Sequence, residues 1–215
     1  MHVKAVVPDR RRQRAERSRA AMGEAALDLL LERGLGGVTV EEIARRAGVT
    51  RRTFSRHFPG KADAVLAVVA DDVHRINDAL RERPPAEPPL IAYRNAVCGW
   101  LASDYGDGPA AGGRLRRRLA LHRRIAGEPQ LAAAYQRIRM AGEQESVRIV
   151  AARLDVDPEL DPRPAVAVGA GVGILVAVLR AWARRGIPES PAALAAEHFA
   201  ALDAVTRMPG PPQEC

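Results

Sequence analysis

The sequence predicts an all-α protein of about nine helices, a small three-helix head followed by a larger helical body. Three observations predict it. Hydrophobic residues make up 47% of the 215 residues but aromatics only 4%, so the core rests on Ala, Leu, Val and Ile. Apolar runs rich in Ala and Leu, with few β-branched alternations, favour helix over sheet. The charge also divides the chain: 14 basic and 7 acidic residues stand up to Lys61 and 19 of each beyond it, so the whole net charge of +7 lies in the first segment. A basic head on a neutral body is the footprint of a polyanion binder.

Residues 1–16 are polar and Arg-rich and are expected to be a disordered basic arm. Its arginines, Arg10 to Arg19, are expected either to track phosphates or to remain solvated. Met22, Ala25, Ala26, Leu29 and Leu30 recur at helical spacing and place a first helix at 17–33, stopped by Gly34. Thr39 and Glu42 form a capping box for a short helix that ends at Ala47. Gly48 supplies the turn, Val49 points inward, and Thr50 caps a third helix over 51–57. Pro59-Gly60 breaks the chain again. A fourth helix is expected over 61–81, with Val65, Val69, Val73, Ile76 and Leu80 on its buried face.

RPPAEPP, residues 83–89, is the clearest linker. Helices are expected over 90–104, 114–126, 129–154, 163–185 and 191–207, with loops at 106–113 and 155–164 and a Pro-rich tail at 208–215. The domain reading is a head over 17–62 and a body over 63–207. The longest apolar stretch, 165–179, is short for a membrane span and is expected to be a buried helix of a soluble protein. Cys98 and Cys215 are too few for a disulfide framework or a zinc site, and a reducing cytoplasm fits them. Residues 1–19 hold no apolar stretch of signal-peptide length.

The two short helices and the Gly48-Val49 turn between them form a helix-turn-helix. Ile43, Ala44 and Ala47 can pack against Val49, Phe54 and Phe58. That leaves Thr50, Arg51, Arg52, Thr53, Ser55, Arg56 and His57 at or near an outer face. Arginine pairs with guanine N7 and O6 in the major groove, and Thr and Ser reach bases or phosphates. Positive helix N-termini near phosphates add to the grip.

The stretch TVEEIARRAGVTRRTFSRHFPGKADAV, residues 39–65, resembles the TetR family signature. That pattern has a Thr-capped helix (Thr39), Ile43-Ala44, the turn Ala47-Gly48-Val49, a recognition helix ending in His57-Phe58, and a lysine opening the next helix (Lys61). The resemblance implies phosphate contacts from Thr39, His57 and Lys61 and groove contacts from Arg51 and Thr53. Two positions depart from it. Arg52 stands where the family often has a small residue, and Ser55 where it often has an aromatic. Arg52 adds a candidate guanine or phosphate contact, and Ser55 lacks the ring that makes the backbone contact usual at its position.

The resemblance further implies a body that dimerises and holds a small-molecule effector of unknown identity. The helices at 163–185 and 191–207 are the expected homodimer surface. The first is apolar nearly all round and carries Gly169, Gly171 and Gly173, each costing about 1 kcal/mol relative to Ala unless close approach offsets it. The second offers Leu194, His198, Ala201, Leu202 and Val205. Tyr93, Trp100, Tyr105, Tyr135 and Met140 are the expected lining of an effector pocket. Arg114, Arg116, Arg117, Arg118, Arg123 and Arg124 either bind an anionic effector or form a solvated face paired with acidic neighbours.

The sequence therefore points to a cytoplasmic regulator of double-stranded DNA, a repressor released from a pseudo-palindromic operator, with no cofactor, no metal and no membrane. No nucleophile triad, nucleotide-binding Gly loop or metal-ligand cluster is present to support an enzyme. A sequence-neutral DNA binder without an effector, an enzyme with an unrecognised site and a protein using its basic arm on membrane surfaces stand as the alternatives.

Overall fold

The computed structural model describes residues 10–106, 111–185 and 190–207. Among the described residues there are ten α-helices, one 3₁₀ turn and no strand. In order these are α1 (Arg10–Arg33), the 3₁₀ turn Leu35–Gly37, α2 (Val40–Arg46), α3 (Arg51–His57), α4 (Lys61–Val65), α5 (Ala67–Arg81), α6 (Pro89–Tyr105), α7 (Ala111–Gly127), α8 (Pro129–Leu154), α9 (Arg163–Arg185) and α10 (Pro191–Thr206).

Three boundaries differ from the sequence expectation. Helix α1 begins at Arg10, so part of the expected arm is helical. Its added residues, RRRQRAE, are good helix formers without an apolar face, so propensity extends the helix where periodicity gave no signal. The rest of that arm, the tail at 208–215 and residues 107–110 of the expected loop lie outside the described residues; Ala111 to Gly113 already belong to α7. The expected helix over 61–81 is broken at Leu66, which raises the helix count to ten. Leu66 is fully buried with φ −90° and ψ 10°, and its carbonyl accepts from Val69 N at 2.9 Å. Neither Gly nor Pro marks this break, which falls where Ala64, Val65 and Leu66 are all fully buried.

The chain divides into two compact units. The first comprises residues up to Ala70 together with 124–136. It is larger than the expected head and is discontinuous in sequence. Helix α1 packs on α2, α3 and α4, and α2 packs on α3. Met22, Leu29, Leu30, Ile43, Phe54 and Val65 are buried at its centre. Burial of each large side chain contributes about 1.5–3 kcal/mol. A Cβ at Gly23 would lie 2.9 Å from the Ala67 Cβ, so α1 crosses the start of α5 closely enough to require a glycine. From the second segment, Leu131 and Ala134 are buried, and Glu128 Oε2 accepts from Leu35 N at 3.1 Å.

The second unit comprises 71–123 and 137–215. Helices α6, α9 and α10 pack on one another, and Tyr93, Val97, Val172, Trp182, Leu194 and Phe199 belong to their common core. Helices α5 and α8 cross tightly: a Cβ at Gly142 would collide with Val73, and the Gly142 carbonyl accepts from Asn77 Nδ2 at 3.3 Å. The expected linker is a fixed corner. Arg153 donates to the carbonyls of Arg83, Pro84 and Glu87, and Arg83 pairs with Glu87, whose carboxyl is held down at about 2 chiefly by that guanidinium.

Helix α9 is long and apolar enough to cross a membrane, with a mean hydropathy of 2.0 over residues Arg163–Trp182. The sequence reading of this stretch as short for a span therefore does not hold for length and composition alone. Val168, Val172, Val178, Ala181 and Trp182 are buried, whereas Ala165, Val166, Gly173 and Ala177 are exposed. Its glycines have two roles. A Cβ at Gly171 would collide with the Tyr93 ring, so that glycine serves packing within the unit. A Cβ at Gly169 or Gly173 would meet nothing within 4 Å. On α10, Leu194 faces the core, not the outer surface expected of it, and Ala193, Ala196, Ala200 and Val205 are exposed.

Candidate nucleic-acid interface

The helix-turn-helix is built from short-range chemistry. Thr39 Oγ1 accepts from Glu42 N at 3.2 Å, and the Glu42 carboxylate accepts from Thr39 N at 3.2 Å, closing the capping box. Thr39 and Arg33 together hold the Glu42 carboxyl below the usual range, the Thr39 hydrogen bond most strongly. Helix α2 ends where Gly48 takes φ +66°, the left-handed region that suits glycine. Val49 N then donates to Ala44 O at 2.9 Å, folding the chain back. Thr50 Oγ1 accepts from Thr53 N at 3.2 Å and starts α3.

Phe54 and Phe58 are buried with ring centroids 5.6 Å apart, and the Arg19 guanidinium covers Phe58 at 5.2 Å. Anchoring α3 through Phe54 turns Arg51, Arg52, Ser55 and Arg56 outward, and all four are exposed, as is Thr50; Thr53 is half-buried. Arg51 forms a surface ion pair with Glu41 at 2.6 Å. Arg52 and Arg56 form no ion pair or hydrogen bond among the described residues. A solvated helix face holding two such guanidiniums and small hydroxyls can meet phosphates and base edges.

Two of the expected phosphate ligands, Lys61 and His57, are held within the unit itself. The Lys61 ammonium donates to the carbonyls of Leu35 at 2.8 Å and Val38 at 2.9 Å, so two of its three protons hold the turn before α2. His57 has its Nε2 buried without a hydrogen bond. Burial, then Arg56 and Arg19, push its pKa down, which favours the uncharged ring. The sequence reading also passed over Arg45, exposed on α2 with no ion pair among the described residues. Its neighbour Arg46 is held by Glu32 at 2.9 Å. Adjacent arginines carry no sequence mark that tells the free one from the paired one.

In the second unit, Tyr93, Trp100 and Tyr105 share one buried core. Burial raises both tyrosine hydroxyls, Tyr105 to about 12. Met140 is 55% exposed and does not join them, and Tyr135 belongs to the first unit. The α7 arginines are not one face. Arg118 is buried and paired with Asp72, Arg114 donates to the Asp104 carbonyl at 3.0 Å, and Arg116, Arg123 and Arg124 are exposed.

Comparison with known proteins bears on both units. Residues 24–68 match the family of bacterial regulatory proteins described as tetR, and residues 87–207 match the MftR C-terminal domain. The chain is 34% identical over 177 residues to the HTH-type transcriptional regulator TcmR of Streptomyces glaucescens, covering 81% of this chain and 77% of that one. Its fold is similar to that of NalD, the secondary repressor of the MexAB-OprM multidrug efflux pump in Pseudomonas aeruginosa (TM-score 0.57, 21% identity, 89% of this chain and 96% of that chain). It is also similar to FadR from Bacillus subtilis in complex with stearoyl-CoA (TM-score 0.53, 16% identity, 85% and 96%). With an exposed recognition helix on a helix-turn-helix and both units matched, the chain belongs to the TetR family and is a helix-turn-helix transcriptional regulator.

Proposed function

We propose that the protein is a cytoplasmic repressor that binds a pseudo-palindromic operator as a homodimer and leaves it when a small molecule binds the second unit. The observation that carries the reading is the outer face of α3, where Arg52 and Arg56 stand exposed and uncommitted beside Ser55. In this reading α3 enters the major groove, Arg51 exchanges Glu41 for DNA, and Thr53 and Ser55 contact bases or phosphates. Thr39 and Thr50 position the two helices and present their N-termini to phosphates. Lys61 and His57 support the fold of the motif and carry less of the contact.

Dimerisation falls to α9 and α10. The outer stripe of α9, with Val166 68% exposed beside Gly169, Gly173 and Ala177, is apolar and small enough for close helix approach. A second copy covering it also accounts for the hydropathy of α9 without a membrane. The effector reading rests on Tyr93, Trp100 and Tyr105 and on the likeness in fold to FadR from Bacillus subtilis, whose structure is in complex with stearoyl-CoA.

Selection of bound fragments from a random duplex pool at physiological salt tests the reading. The expected product is an inverted repeat with half-sites about 10 base pairs apart, centre to centre. Arg52→Ala with Arg56→Ala should lower operator affinity by about two orders of magnitude while the dimer persists. Enrichment of no sequence, with binding that vanishes as salt rises, would favour the sequence-neutral alternative.

A further inference from the structure

The buried polar groups of the second unit are unbalanced. Asp72 and Arg118 are each only 5% exposed and form an ion pair through Arg118 Nη2. The remaining donors of that guanidinium, Nε and Nη1, are buried and have no hydrogen-bond partner. The indole Nε1 atoms of Trp100 and Trp182 are likewise buried without one. Trp100 lies close enough to Asp72 to lower its carboxyl slightly, yet falls short of a hydrogen bond. Tyr105 joins these groups, edge-on to Trp100 at 5.7 Å and to Trp182 at 5.8 Å.

Native interiors seldom leave donors unspent, because each orphan costs the desolvation of its group. The orphan atoms of Arg118, Trp100 and Trp182 are all donors, on three side chains around one tyrosine ring. Asp72, the nearby buried acceptor, already holds Arg118. What these three side chains lack is acceptor oxygens, and their rings belong to an aromatic and aliphatic core.

We infer that the cluster of Arg118, Trp100, Trp182 and Tyr105 is the recognition site for a planar aromatic ligand bearing acceptor oxygens (carbonyl, phenolate or carboxylate), and that it rejects cationic ligands. This rests on the effector reading above and names its chemistry. The rings stack on or edge against the indoles and Tyr105, while the oxygens receive Arg118 Nε and Nη1 and the two indole N–H groups. A cationic ligand would bring further donors to a site that lacks acceptors and would face Arg118 directly.

The chain supplies its own reporter: its only two tryptophans are Trp100 and Trp182. The test titrates the full-length protein with anthraquinone-2-carboxylate and, in parallel, with 9-aminoacridine, a cation of similar size. Calorimetry gives affinity and tryptophan emission gives location. The anthraquinone should bind and quench, and the acridine should bind at least tenfold more weakly. Trp182→Phe keeps the ring, removes one donor, and should weaken anthraquinone binding several-fold. Asp72→Asn with Arg118→Met removes the charged pair together and should weaken it tenfold or more. If that double variant does not fold, the Trp182→Phe comparison still decides. Equal binding by wild type and variants, equal binding of both probes, or binding of neither overturns the inference. Release of the selected operator by some other class of compound would then leave the effector reading standing. Release by none of a broad panel would remove both.

Discussion

The DNA-reading motif and the helical unit beyond it make different demands on sequence. Between Thr39 and Phe58 the decisive bonds join near neighbours: Thr39 to Glu42, Thr50 to Thr53, Val49 to Ala44. In the second unit they join residues far apart, 46 positions for Asp72 and Arg118, 65 for Asn77 and Gly142, and 70 for Arg153 and Arg83. Gly48 and Gly171 show the same contrast. Gly48 is needed for its φ of +66° and has open space where a Cβ would stand. Gly171 sits in an ordinary helix and is needed because Tyr93 fills that space. The motif is held by local conformation, and the second unit by long-range fit.

The sharpest way to break this contrast is at the buried pair. Asp72→Asn leaves the Arg118 guanidinium buried without an opposing charge and should cost about 3–5 kcal/mol in urea unfolding, with much of it restored by adding Arg118→Met. A loss below about 1 kcal/mol would mean that the second unit does not depend on that distant pairing.

Acid titration sharpens the comparison next. Burial, and then Arg118, push His122 down to about 3 from 6.5, so the folded state binds fewer protons than the unfolded one between those values. Its contribution is lost as pH falls through that window. Burial pushes Asp72 up to about 6 from 3.8 against the pull of Arg118, so its contribution runs the other way and stability is gained as pH falls from 6 to 4. The two offset each other in the wild type. His122→Gln should therefore lose less stability than the wild type between pH 6.5 and pH 4.5, read by denaturant unfolding at each pH. A steeper loss in the variant would reverse the sign assigned to His122.

Glycine substitutions separate conformation from space. Gly171→Ala should destabilise by about 1–3 kcal/mol through overpacking. A smaller residue than Tyr at 93 should relieve it. Gly48→Ala should cost about 1–2 kcal/mol through backbone strain, and no neighbouring substitution should relieve that. The smallest expected effect is Thr50→Ala, about 1 kcal/mol for a lost N-cap, seen as faster amide exchange at Thr53. Rescue of Gly48→Ala by a packing change would erase the distinction between the two regions.

The same contrast explains what the sequence revealed. The caps at Thr39 and Thr50, the turn at Gly48 and the outward face of α3 were legible because each is encoded within a few residues. Apolar residues at helical spacing likewise placed the first helix and the helical run beyond Lys61. Distant partners were not legible. Nothing near Lys61 says that it donates to Leu35 and Val38, nothing in RLRRRL separates buried Arg118 from its exposed neighbours, and nothing within α5 announces the break at Leu66. Trp100 and Tyr105 were picked out as bulky aromatics. Trp182 was passed over because it sits in a helix read as a buried apolar stretch and a dimer surface.

The discontinuity of the first unit bears on how such a regulator can be recombined. Its bond from Leu35 to Glu128 and its buried Leu131 and Ala134 come from a segment more than 50 residues downstream of Ala70. A DNA-reading head exchanged as one stretch up to Ala70 would leave that segment behind and arrive with an uncovered apolar patch. The head is therefore not a free-standing cassette. A transplant that keeps it intact must carry residues 124–136 along with it, or supply side chains there that fit the new partner.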